Sequence, residues 1–60
     1  LPEALSEQEI NELVESAIAS SGASEMKQMG LVMGILKPKL QGRADMSIVS
    51  QLIKSRLSSN

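Results

Sequence analysis

The sequence predicts an all-α fold, a small three-helix bundle with room for a short fourth helical turn at Pro38–Gln41. Three observations carry this reading. Apolar residues recur at helical spacing in three separate stretches, each stretch opens on a capping residue, and strand-like alternation is absent. With 60 residues there is material for one domain only, and such a chain buries about 60% of the surface its unfolded form exposes. The core has no Phe, Trp or Tyr and must be built from Leu, Ile, Val, Met and Ala.

The first helix has the plainest start. Ser6 followed by Glu9 forms a capping box, and Leu5 and Ile10 are placed for a hydrophobic staple. Ile10, Leu13, Val14, Ala17 and Ile18 then follow the i, i+3, i+4, i+7, i+8 spacing of one buried stripe, with Glu9, Glu12 and Glu15 on the opposite side. Ser20, Ser21 and Gly22 end it, Gly22 being suited to a left-handed C-terminal position. Residues 1–5, with Pro2 holding Leu1 extended, read as the end of an interdomain linker.

Ser24 offers the second N-cap, for a helix over Glu25–Leu36. Met26, Met29, Val32, Met33 and Leu36 make one apolar stripe, and Leu31 with Ile35 a second on another side. A helix apolar on two sides is central in its bundle or covered by something else. Gly30 and Gly34 weaken it by roughly 1 kcal/mol each relative to alanine, and make sense if another backbone approaches there. Pro38 disfavours helix at Lys37, so this helix stops or kinks at that point. Asp45 caps a third helix over Met46–Leu57, with Ile48, Val49, Leu52, Ile53 and Leu57 as its stripe; residues 58–60 read as a frayed tail.

Composition removes most chemistry. With no Cys and no His there is no thiol nucleophile, no imidazole base and no zinc site of the usual ligand type. Ten serines lack a positioned base, and a Ser50–Lys54 pair would need a desolvated lysine on a wet face. The glutamates of helix 1 match a solvated face better than a catalytic or metal-binding pair. No catalytic residue, metal ligand, cofactor or small-molecule substrate is expected. No apolar run approaches the roughly twenty residues of a membrane span, and no signal segment opens the chain, so a cytoplasmic protein without a membrane partner is expected. A chain beginning with Leu1 reads as a piece of a longer one.

Charge is the informative feature. Residues 1–25 hold six Glu and no cation, whereas residues 26–60 hold all six Lys/Arg and one Asp. Lys37, Lys39 and Arg43 cluster at the bend between helices 2 and 3, with Lys27 upstream and Lys54 and Arg56 near the end of helix 3. An exposed turn of this kind suits phosphate oxygens. The plain alternative is solubility charge, partly paired with helix 1 glutamates. Without aromatic rings, nucleic acid would be read by backbone and shape, not by stacked bases.

These same residues carry a resemblance. Leu1-Pro2 with Leu5-Ser6 and Glu9-Ile10 resembles the linker and helix start of the YqeY-like proteins. Gly22-Ala23-Ser24 with Met26-Lys27-x-Met29-Gly30-x-Val32-Met33 resembles their central motif. Lys37-Pro38-Lys39-Leu40-x-Gly42-Arg43-Ala44-Asp45 resembles the next, and Val49, Leu52-Ile53-Lys54 and Leu57 the closing helix. The resemblance covers nearly the whole chain and implies the C-terminal, GatB/YqeY-type domain of a bacterial protein, here residues 6–57. That domain is shared with the tail of the B subunit of the glutamyl/aspartyl-tRNA amidotransferase and is appended to some glutaminyl-tRNA synthetases. The resemblance implies a helical appendage that grips the outer corner of tRNA while amide transfer occurs elsewhere. A carbon–nitrogen ligase activity with glutamine as donor belongs to that larger enzyme. The motif positions able to touch phosphate are Lys27, Lys37, Lys39, Arg43 and Lys54. Two departures are Gln28, where the family usually has Asp, and Leu31, where Lys is common; the latter removes a cation beside the RNA face.

A rival from another class is a protein-interaction or interdomain docking module with no RNA role. Its working surface would be Leu31 and Ile35, set against the missing N-terminal helical domain of the same protein or another partner. The Met29-Gly30-Leu31 step resembles that of ubiquitin-associated-type domains, but there it follows helix 1, and here it falls inside helix 2.

Overall fold

The first and third helices each begin where a side chain replaces a missing backbone partner. The computed structural model describes residues 3–59. The linker reading at Leu1 and Pro2 and the tail reading at Asn60 lie outside them. Helix α1 spans Glu7–Ser21, a single 3₁₀ turn covers Met26–Gln28, α2 runs directly on over Met29–Leu40, and α3 spans Met46–Ser58. No strand is present among the described residues.

The α1 capping box forms as expected. The Ser6 Oγ accepts from the Glu9 N–H at 3.1 Å, and Glu9 Oε1 accepts from the Ser6 N–H at 2.9 Å. Gly22 closes α1 at φ 71°, which a side chain would make costly, and its N–H donates to the Ile18 carbonyl at 3.1 Å. At the start of α3 the Asp45 carboxylate accepts from the Ser47 N–H and hydroxyl at 3.0 and 2.8 Å. The second N-cap differs from expectation by one residue: Glu25 holds it in an extended conformation, and Gln28 Oε1 accepts from the N–H groups of Ser24 and Glu25. The amide at position 28 thus satisfies two donors that a Ser24 cap would have addressed differently.

Glu9 and Asp45 are held below their ordinary values of 4.5 and 3.8 by these same caps. For Glu9 the Ser6 backbone N–H acts first, then the Ser6 hydroxyl; for Asp45 the Ser47 side chain acts first, then its N–H. A carboxyl lowered on folding contributes its full stabilisation above its unfolded value and loses it as pH falls through the folded one. Stability should therefore hold level at neutral pH and begin to decline below 4.5 for Glu9 and 3.8 for Asp45. In an acid titration followed by thermal melts, Asp45→Asn, which keeps a capping side chain, should flatten the lower part of that decline.

The three helices close on one core. Val14 and Ala17 come from α1, Val32, Leu36 and Leu40 from α2, and Val49, Ile53 and Leu57 from α3, with Ala23 from the connection. Leu5, Ile10, Leu13 and Ile18 pack around this cluster as the staple and stripe of α1 predict. Two stripe members are instead exposed. Met26 is 42% and Ile48 53% exposed. Met26 sits in the 3₁₀ turn, where the 3.6-residue period does not yet apply, and Ile48 lies 100° around α3 from Val49.

Pro38 does not stop α2, which continues through it to Leu40, so residues 38–40 form its last turn and no separate fourth helical turn exists. The proline removes the donor that would bond the Gly34 carbonyl in a regular helix, but Gly34 and Pro38 are both exposed and water can serve that oxygen. Leu40 is fully buried, and that burial holds the last turn helical. The close approach expected at Gly30 and Gly34 is also absent: a Cβ at either would meet nothing within 4 Å. Gly34→Ala should therefore stabilise the domain by roughly 0.5–1 kcal/mol, seen as a rise in Tm of several degrees.

Candidate nucleic-acid interface

The cations nominated from sequence do not share one environment. Lys37 and Lys39 occupy the last turn of α2, exposed on either side of Pro38. There they also complement the negative end of the helix dipole. Lys54 projects, exposed, from α3. Among the described residues none of these three lysines has an acidic partner within ion-pair distance. Lys27 ends the 3₁₀ turn 4.0 Å from Glu25, with both side chains largely in water, a pair that restrains little.

Both arginines are otherwise engaged. Arg56 forms an ion pair with Glu15, tying α3 to α1. This is the pairing with helix 1 glutamates expected of ordinary surface charge. Arg43 lies on the five-residue connection between α2 and α3, which Gly42 turns at φ 81°. Its backbone is fixed on both sides: its N–H donates to the Leu40 carbonyl at 2.8 Å, and its carbonyl accepts from the Leu5 N–H at 3.0 Å. Its Nε donates to the Glu3 carbonyl at 3.3 Å. Residues 3–5, read from sequence as plain linker, are thus a strap laid on the bend. A guanidinium has five N–H donors, so this bond leaves others for a ligand.

The nominated docking pair divides. Leu31 is 56% exposed on the outward side of α2, whereas Ile35 packs against the core. The acidic face forms an open depression of about 410 Å³ lined by Glu7, Gln8, Asn11, Glu12 and Glu15, all from α1. With one wall of one helix it encloses nothing. Among the described residues no three acidic side chains come together to hold a metal ion. No helix of the described residues is long and apolar enough to cross a membrane.

Fold and surface together define a small all-α domain in which, among the described residues, Lys37, Lys39, Arg43 and Lys54 carry positive charge without an ion-pair partner. The sequence matches the family described as Yqey-like protein over residues 1–57, and the chain belongs to that family. No curated protein matches it.

Proposed function

We propose that this domain is a non-catalytic accessory module of a cytoplasmic protein that holds tRNA by its phosphates at the α2–α3 bend. The observation that carries this reading is the pair Lys37 and Lys39, exposed and without acidic partners at the end of α2. Membership of the YqeY-like family supports it, since the related amidotransferase tail is a tRNA-gripping appendage. Lys27 and Lys54 add charge along the same helix pair, and the spare donors of Arg43 lie at the bend itself. The absence of rings makes recognition a matter of shape and charge.

Three or four phosphate contacts give a slope of log affinity against log salt of roughly −2 to −3.5. An NMR titration with total tRNA at two salt concentrations should move the amides of residues 37–43 at low salt and lose that effect at high salt. Unmoved amides at low salt would reject the proposal. A second reading rests on the exposure of Leu31, which suits docking on the N-terminal domain of a full-length protein. Under that reading Leu31→Ser would abolish interdomain docking and leave any tRNA shifts intact.

A further inference from the structure

The bend that carries the exposed lysines is also where residues 3–5 are fastened. Two bonds bridge about forty residues of sequence: Leu5 N–H to the Arg43 carbonyl, and Arg43 Nε to the Glu3 carbonyl. Leu5 is half-buried against the core, so the strap has an apolar foot as well. Directly after the strap, α1 opens on the capping box of Ser6 and Glu9. Closing the strap thus lays backbone against the bend and occupies the Arg43 Nε.

We infer that residues 3–5 form a strap that Arg43 latches over the α2–α3 bend, and that a polyanion and the strap compete for the Arg43 guanidinium. The inference rests on the reading of the bend as a phosphate-binding surface and gives Arg43 a different part in it. Arg43 is then a latch that limits access and not a principal phosphate ligand. Physically, a phosphate approaching Arg43 meets a guanidinium already bonded at Nε. Displacing the strap frees the Nε donor for a side-on fork with a phosphate. By linkage, if polyanion binding opens the strap, loosening the strap tightens polyanion binding.

Arg43→Lys separates the alternatives, because it keeps the charge and loses the planar Nε donor. Hydrogen exchange at the Leu5 amide and affinity for total tRNA at low salt are measured on both chains, with circular dichroism to verify the helices. Leu5 should exchange about threefold to tenfold faster in the variant, the range expected for losing one exposed hydrogen bond. Its tRNA affinity should rise about twofold to threefold, and saturating tRNA should speed Leu5 exchange in the wild type. Equal or weaker tRNA binding by the variant would overturn the strap and leave the RNA reading in place. Leu5 protection unchanged by the substitution would overturn it as well. If neither chain binds tRNA at low salt, the phosphate reading falls and the competition with it.

Discussion

Replacing Leu36 with alanine is expected to unfold most of the domain at room temperature. Leu36 is fully buried in α2, the helix that packs against both α1 and α3. Truncating a buried leucine costs about 2–5 kcal/mol, the range depending on how far the surroundings collapse. A single core of this size, with no disulfide or metal, supplies only about 3–5 kcal/mol in total. Collapse is hard to achieve here. The neighbouring core positions are Val, Leu, Ile and Ala, and no aromatic ring is available to swing into the cavity. Circular dichroism at 222 nm should show a reduced signal and a broad, early thermal transition. The control is Leu31→Ala on the same helix, expected to stay within about 0.5 kcal/mol because that side chain is mostly in water. A Leu36→Ala chain that melted cooperatively within about 1 kcal/mol of wild type would contradict this account of the core.

The contrast between Leu36 and Leu31 shows which features of the fold are written locally. Ser6 with Glu9, Gly22, and Asp45 all cap as their sequence positions imply, because each bond joins residues at most four apart. The stripe of α1 is likewise complete. At Pro38 the local rule and the tertiary structure conflict. The rule against helix before proline concerns one lost bond and one steric contact, and the full burial of Leu40 two residues later outweighs them. Spacing also overextends stripes at helix ends: Met26 and Ile48 fit the arithmetic, but each lies where few neighbours reach. Gly30 and Gly34 mislead in the opposite way. Their spacing resembles a packing seam, yet among the described residues nothing lies within 4 Å of a Cβ placed at either.

The site is less legible than the fold because charge pairing is long-range. Six cations in residues 26–60 look equivalent in sequence. Only the folded chain brings Glu15 to Arg56 and the Glu3 carbonyl to Arg43, partners about forty residues apart. No periodicity encodes either contact. What was readable was the position of Lys37 and Lys39 beside Pro38 and a turn glycine, which keeps them at the surface whatever the tertiary arrangement.

Removing both bend lysines should therefore do more to RNA binding than any other surface change of equal size. The double variant Lys37→Gln/Lys39→Gln deletes two cations without adding anions at the C-terminus of α2, where anions would oppose the helix dipole. Its helix content should be retained, since glutamine forms helix about as well as lysine and both side chains are exposed. Two lost phosphate contacts reduce the magnitude of the salt slope by roughly 1.4–1.8, and at about 50 mM salt weaken tRNA binding by roughly ten- to a hundredfold. Arg56→Gln is the matched comparison. It removes one cation too, but one already paired with Glu15, so the slope should change by much less than one contact's worth. Fluorescence anisotropy with labelled tRNA across a salt series measures both quantities on the same samples. A double variant with the wild-type slope would move the interface away from the bend. An Arg56→Gln variant that lost as much slope as a bend lysine would mean that ion pairing does not sort the cations as the folded structure implies.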